Sequence, residues 1–199
     1  MRLLIPLPLL LAGGCLGPSG AGAREPAPAP APVPLPEQVR GLSLGSRPGP
    51  RHRVLEPLVG RWSVVIEADG GSAYRGEATI AWALGGRFLR WDVRMDFGGT
   101  PAATTVYVGY DDRTAEYRML MISDLSTSME VASGRGDLAS SGLVFTLELP
   151  DPRSGLRLRA RSRLKLLDAD RFLLEQLETT AGGEERIART SRYSRLATR

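Results

Sequence analysis

The sequence predicts an all-β protein, a closed antiparallel up-and-down barrel of about ten strands over residues 51–199, preceded by a disordered proline-rich tether. Three observations support this fold class. Apolar and polar residues alternate with period two in many short segments, as in strands with one buried face. Glycine, aspartate and proline separate these segments at close, even intervals. No long helical pattern lies between them, which excludes parallel strands joined by helical crossovers.

Residues 1–14 are predicted to be a signal peptide. Arg2 gives a short positive start, residues 3–11 are apolar, and small residues precede Cys15, the single cysteine of the chain. This arrangement resembles a lipobox, in which the cysteine sulfur receives a diacylglyceryl group, although Ala12 stands where leucine is usual. The apolar run is too short to span a membrane, which takes about 20 residues. We therefore expect lipidation at Cys15, with acyl chains such as palmitate, and cleavage without lipid is the alternative.

A lipid anchor on Cys15 places the protein in the cell envelope. Two or three acyl chains hold a protein firmly, because each buried methylene contributes about 0.8 kcal/mol. Leu16 follows the cysteine, and by resemblance to enterobacterial sorting it permits delivery to the outer membrane. The periplasmic face of the inner membrane remains the other expected location.

Residues 15–50 are predicted to be a linker. Proline alternates with alanine from Pro26 to Pro32 and recurs at Pro34 and Pro36. Because proline fixes φ near the polyproline II value, this stretch should be extended and act as a spacer of about 3.1 Å per residue. The alternative is a proline-rich ligand for a partner domain. The expected boundaries are therefore 1–14, 15–50 and 51–199.

The strand pattern is clearest over residues 90–97, where Trp91, Val93, Met95 and Phe97 alternate with charged residues. Residues 156–166 repeat it, with leucines on one face and arginines on the other. Further strands are expected at 61–68, 73–84, 103–110, 115–122, 127–133, 143–149, 171–179 and 185–195. Closing such a sheet into a barrel removes its exposed edges. Residues 54–59 should form a helical turn that plugs one end. A two-sheet sandwich is the structural alternative.

Composition excludes several classes of function. The chain carries 26 basic and 22 acidic residues, a net charge of +4, which is too balanced for a nucleic-acid binder that works by bulk charge. One cysteine and one histidine exclude disulfides, multi-histidine metal sites and thiolate zinc clusters. A carboxylate-only site for calcium or magnesium stays open. We expect no cofactor; His52 is a poor haem ligand before the first strand and fits a capping or hydrogen-bonding role.

The residues expected to face inwards are rich in tryptophan, methionine and tyrosine. Methionine adapts to irregular apolar shapes, and small barrels can hold one apolar ligand, such as an acyl chain. The alternative is that these side chains fill the interior and leave no cavity. The candidate ligand-lining residues are Trp62, Trp82, Trp91, Met95, Tyr110, Tyr117, Met119 and Met121.

The most pronounced charge feature is a cationic ladder formed by Arg157, Arg159, Arg161, Arg163 and Lys165 on one strand face. It could meet anionic lipid headgroups or another acidic polymer. The favoured interpretation is a solvated barrel exterior, with cross-strand partners expected at Glu148, Glu175 and Glu178.

The chain resembles the bacterial domain of unknown function 1579 family over about residues 51–196. The resemblance rests on ordered short motifs: His52-x-x-Leu55-x-x-Leu58-x-Gly60-x-Trp62, residues 85–89 (GGRFL), residues 109–111 (GYD) followed by Tyr117, Asp124, and residues 193–195 (YSR). It implies a barrel of the lipocalin or fatty-acid-binding-protein type. It implies no activity, and a shared fold does not establish a shared function.

Two functions remain in competition. The first is an envelope-tethered barrel that binds a small apolar or amphipathic molecule. The second is a structural or interaction lipoprotein with a filled barrel, which contacts a protein partner of unknown identity through its exterior. An enzyme is disfavoured, because no catalytic motif and no pairing of a nucleophile with a base is found around the single histidine.

Overall fold

Ten antiparallel strands close into one barrel in the computed structural model, which describes residues 47–67, 73–150, 157–179 and 185–197. Each strand pairs with the next along the chain, and the last pairs with the first. The predicted up-and-down barrel is confirmed, and the sandwich alternative is wrong. The strands are β1 (Gly60–Glu67), β2 (Ala73–Ala83), β3 (Phe88–Asp96), β4 (Pro101–Asp111), β5 (Glu116–Ser123), β6 (Ser126–Asp137), β7 (Gly142–Pro150), β8 (Arg157–Asp168), β9 (Arg171–Thr179) and β10 (Glu185–Arg195).

The expectations for the signal peptide, Cys15 and the linker through residue 46 lie outside the described residues. In the described part of the chain no helix is long and apolar enough to cross a membrane.

The period-two alternation sets which side chains enter the barrel. Trp91 lies opposite Ile80 of β2 and Val106 of β4, and all three are buried. The register carries this inward face from strand to strand because residues directly opposite each other point to the same side of a sheet. All eight candidate lining residues belong to the buried apolar cluster or pack against it.

A short helical segment, residues 50–58, precedes β1 and closes one end of the barrel. It consists of α1 (Pro50–Arg53) and a 3₁₀ turn (Glu56–Leu58). Proline is favoured at the first helical position, where its missing N–H is not needed. Leu55 and Leu58 are completely buried, as the plug predicted for residues 54–59 requires. We call this the helical end, and the opposite end, with the turns after β3 and β5, the far end.

The outer surface carries the described part of the cationic ladder, and two of its arginines pair with acidic side chains on other strands. Arg163 donates to the Glu175 carboxylate at 2.6 Å, and Arg161 pairs with Glu185. Arg159 lies opposite Glu148 in the β7–β8 register. These arrangements agree with the solvated, partnered exterior that the sequence favoured.

Candidate functional site

The barrel interior is filled and dry at the helical end. Trp62 and Phe172 meet edge to face with ring centroids 4.7 Å apart. Phe172 stacks on Tyr193 at 4.2 Å, and Trp91 meets Tyr193 at 5.1 Å. All four rings are 4% exposed or less. This aromatic cluster forms a floor below the helical segment, and burial raises the pKa of the Tyr193 hydroxyl far above its ordinary value.

Polar contacts fasten the helical segment to this floor. The Trp62 Nε1–H donates to the Leu58 carbonyl at 2.9 Å, and the Tyr117 hydroxyl donates to the Arg51 carbonyl at 3.1 Å. Trp82 Nε1–H donates to the Glu56 carboxylate at 2.7 Å. His52 is buried, and its Nδ1 accepts from the Gly49 N–H at 3.2 Å. The histidine therefore has the hydrogen-bonding role expected from the sequence.

Arg195 completes the attachment from the last strand. Its guanidinium donates to the carbonyls of Val59 and Pro57 at 2.8 and 2.9 Å and to that of Ala169 at 2.8 Å. The guanidinium carbon also lies 4.1 Å from the centre of the Trp62 ring. A planar guanidinium suits this geometry because it offers several donors in a fixed fork and stacks on aromatic faces.

The interior is solvated towards the far end. Met95 and Ala102 near this end are buried, but several other inward-facing side chains are only partly buried: Ile66, Val93, Thr104, Met119, Met121, Leu147, Ala160 and Leu174. The inward-facing residues two positions closer to the helical end on the same strands, such as Val64, Trp91 and Phe145, are almost completely buried. Strand pairing is incomplete at this end, because β6 and β7 pair only as far as Ala132 and Leu147, and β8 and β9 only as far as Arg161 and Leu177. We call this partly exposed, mostly apolar half of the barrel interior the hollow.

The eight candidate lining residues divide between the two halves. Met119 and Met121 face the hollow, and Trp91 and Met95 border it as buried neighbours of Val93 on β3. Trp62, Trp82, Tyr110 and Tyr117 lie at the helical end; Tyr110 contacts both His52 and Tyr117, at centroid distances of 6.1 and 5.1 Å. Contact of any of the eight with a ligand stays a prediction.

Trp91 has an unusual polar atom for this environment. Its Nε1–H is buried and finds no hydrogen-bond acceptor among the described residues. A buried unpaired donor costs about 1–3 kcal/mol. The floor of the hollow thus contains a donor that an acceptor atom could satisfy.

The inward face of the hollow also carries polar side chains that the hydrophobic pattern did not indicate. Ser162, Gln176, Arg189 and Ser191 share the inward face of β8, β9 and β10, and Glu130 shares that of β6 with Ala132. Burial raises the pKa of the Glu130 carboxyl. Counting back in steps of two from Tyr193 would have found Ser191 and Arg189.

Two grooves on the outer surface have about 490 and 710 Å³ of space and are lined mainly by charged and polar side chains. In the first groove the Glu116 carboxylate accepts from Arg135 at 3.1 Å and lies 3.4 Å from the Arg118 guanidinium. This carboxylate therefore already has two arginine partners. Within the described ranges, no group of three or more histidine, cysteine or acidic side chains is placed to hold a metal ion.

Several solved β-barrel structures are similar to this chain, at low sequence identity. A redesigned β-barrel is 16% identical, with 73% of this chain and 96% of that chain covered and a TM-score of 0.39. A de novo designed fluorescence-activating β-barrel is 13% identical, covering 72% and 97%, with a TM-score of 0.41. The S-type phycobiliprotein lyase CPES from Guillardia theta is 13% identical, covering 76% and 100%, with a TM-score of 0.44. Such similarity does not indicate a shared ligand or activity.

No curated protein matches the chain significantly. A family profile does: the family described as "Protein of unknown function (DUF1579)" matches residues 47–195, which is nearly all of the described barrel together with its helical segment. The chain belongs to the DUF1579 family.

Proposed function

We propose that this protein is a ligand-binding lipoprotein of the cell envelope, which holds one small apolar or amphipathic molecule in the far half of its barrel. The observation that carries this proposal is the partial exposure of several inward-facing apolar side chains in the far half of the barrel. Aromatic rings fill the helical half, whereas inward-facing apolar side chains of the far half, such as Met121 and Leu147, contact solvent. Covering apolar surface of this kind gains about 25 cal/mol per Å².

The shape and chemistry of the hollow suit such a ligand. Binding pockets are mostly apolar, with a few polar groups that fix orientation. Here methionine and leucine side chains provide the apolar walls, and Gln176, Arg189 and Glu130 provide polar groups. The expected lipid on Cys15 and the proline-rich linker would hold the open barrel near a membrane, where apolar molecules are available.

A second candidate function is contact with a protein partner through the exterior. Its support is an apolar patch on the β5–β6 hairpin, where Ile122, Leu125, Met129 and Val131 are between 38% and 69% exposed. Patches of this kind on soluble proteins often mark interaction surfaces. This candidate does not account for the solvated interior.

Two measurements test the ligand-binding proposal. Native mass spectrometry of the full chain purified from membranes should show a lipid-sized adduct beyond the mass of the covalent anchor. Titration with dodecanoate should change tryptophan emission, because Trp91 borders the hollow. An interior substitution, Ala160→Phe, should fill part of the hollow and weaken dodecanoate binding by about tenfold, which corresponds to about 1.4 kcal/mol.

Thr146→Phe is the matched control, since Thr146 is on the neighbouring strand and points outwards. It should bind dodecanoate like the wild type, and circular dichroism should show that both variants fold. Absence of any adduct and of any emission change would contradict the proposal and favour the exterior partner. Equal loss of binding in both variants would also contradict it.

A further inference from the structure

Three polar side chains form a row across the inner wall of the hollow. Ser162 of β8 lies opposite Gln176 of β9, and Gln176 lies opposite Arg189 of β10. Directly opposed residues share one face of a sheet, and Leu164, Leu174 and Ser191 on the same strands confirm that this face points inwards. The row therefore presents a cation, an amide and a hydroxyl side by side at one depth.

Regular alternation along β10 places Arg189 in this row, because it shares a face with Ser191 and the buried Tyr193. The β9–β10 pairing shifts between Ile187 and Arg189, so that the two residues lie opposite Leu177 and Gln176 respectively. A bulge of this kind reorients neighbouring side chains. Ile187 consequently faces outwards with 48% exposure, and Arg189 points inwards.

Arg189 differs from the arginines around it because it has no partner. Outward arginines on the same wall are paired: Arg163 with Glu175, Arg161 with Glu185, and Arg192 with Glu67. Among the described residues, the side chains of Arg189, Gln176 and Ser162 make no hydrogen bond or ion pair. A partly buried cation without a counter-charge is costly to keep, which makes the row a site that an anion would complete.

The facing wall has the opposite character. Across the barrel, β3, β4 and β5 present Val93, Val106, Met119 and Met121 to the interior. Glu130 on β6 is an inward carboxyl on a different wall, four strands from β10 in the barrel order. One end of a bound molecule would thus meet Arg189, and its body would meet apolar side chains.

We infer that the ligand is an anionic amphiphile, with an acidic oxygen head group on Arg189, Gln176 and Ser162 and an apolar chain against the β3–β5 wall. This rests on the proposed function and adds the chemical class of ligand. Charge-assisted hydrogen bonds to a guanidinium are stronger than neutral ones and favour carboxylate and phosphate groups.

The test compares three probes of equal chain length on the full chain: dodecanoate, dodecyl phosphate and dodecanol, each measured by displacement of a fluorescent fatty acid. Wild type should bind the two anions at least about tenfold more tightly than the alcohol. Arg189→Gln should lose about tenfold for each anion and bind dodecanol unchanged. The conservative Arg189→Lys should recover part of the lost affinity, and Glu130→Gln should bind anions as well as or better than wild type.

Arg94→Gln is the control, because Arg94 is an exposed outward cation on β3; it should not alter binding. Equal affinities of wild type for dodecanoate and dodecanol, or an Arg189→Gln variant that binds anions normally, would overturn this inference while ligand binding itself stands. A wild-type protein that binds none of the three probes would overturn both. A wild-type protein that binds dodecyl phosphate but not dodecanoate would assign the head group to a phosphate and would support the inference.

Discussion

Glu130 is an acidic side chain that points into the barrel and has no partner among the described residues. Burial raises the pKa of its carboxyl because the charged form loses hydration without gaining a hydrogen bond. In the unfolded chain the same carboxyl titrates in its ordinary range. Between the two pKa values the unfolded state therefore binds fewer protons, and stability falls as pH rises through this window.

Replacing Glu130 by glutamine should remove this loss. We expect Glu130→Gln to match wild-type stability at about pH 4 and to exceed it at about pH 7, because only the wild type carries a partly buried negative charge there. Thermal denaturation across this pH range measures the difference. Glu77→Gln, at an outward carboxyl whose arginine partner is also exposed, should keep the wild-type pH dependence. Parallel pH curves for wild type and Glu130→Gln would contradict the assignment.

At the residue scale, the sequence predicts the face of a side chain better than its depth. Alternation along each strand correctly placed all eight candidate lining residues inside. Alternation alone does not show that Trp62 supports the helical segment whereas Met121 faces the hollow, because both residues follow the same two-residue period. Depth depends on how far a residue lies from the closed end, which only the register and the helical segment define. Arg189 obeys this alternation as well, but an arginine is ordinarily expected on the solvent face of a strand, and the pattern alone does not indicate an inward one.

At the scale of elements, the helical segment is the feature that makes the two barrel halves different. Leu55 and Leu58 fill one end, and the contacts of Arg195 link this segment to the last strand and to the turn at Ala169. The same arginine covers Trp62. Arg195 therefore joins both ends of the barrel sequence at the helical end, together with the hydrogen bonds of Trp62, Trp82 and Tyr117 to the helical segment.

Arg195→Lys tests this role. Lysine keeps the charge and has three donors, but its compact ammonium lacks the planar fork that spreads donors between these carbonyls and covers Trp62. We therefore expect a loss of about 1–3 kcal/mol in the free energy of unfolding, measured with urea. Arg192→Lys is the control, since Arg192 lies outwards and pairs with the exposed Glu67; surface pairs contribute about 0–1 kcal/mol. Equal stability of Arg195→Lys and wild type would show that the fork is dispensable.

The strands themselves were largely predictable. All ten were expected, and most ends agree within about three residues because glycine and aspartate in the turns have a clear conformational role. The main difference is β6, expected at 127–133 but extending to Asp137. Gly134 lies just beyond the expected end of this strand. In the structure it lies opposite Phe145, and a Cβ at this glycine would come within 2.6 Å of the phenylalanine ring. The glycine serves packing across the sheet, which local sequence does not reveal.

At the scale of the whole molecule, closure of the barrel joins β1 to β10, with Trp62 opposite Arg195. Each of the ten described strands has a neighbour on both sides, although β6 and β7 pair only from Ala132 and Leu147 towards the helical end. A ligand in the hollow would lie inside this ring of strands. We place this container at a membrane through the expected lipid on Cys15.

Cys15→Ser tests the anchor. Without the sulfur no diacylglyceryl group can be attached, so labelling with a palmitate analogue should be lost and the protein should leave the membrane fraction. Circular dichroism of the variant should match that of wild type, because Cys15 lies far before the barrel in sequence. A variant that stays in the membrane fraction to the same extent would refute lipid anchoring and leave the barrel assignment intact.

The central claim is that the far half of the barrel interior holds an apolar chain. The most direct measurement is a crystal structure of the protein with ω-bromododecanoate, in which anomalous scattering locates the bromine. We predict a bromine peak inside the barrel, among Val93, Met121 and Leu147, with the carboxylate towards Arg189. A bromine peak only on the exposed β5–β6 surface, or no bound molecule at saturating concentration, would contradict the claim.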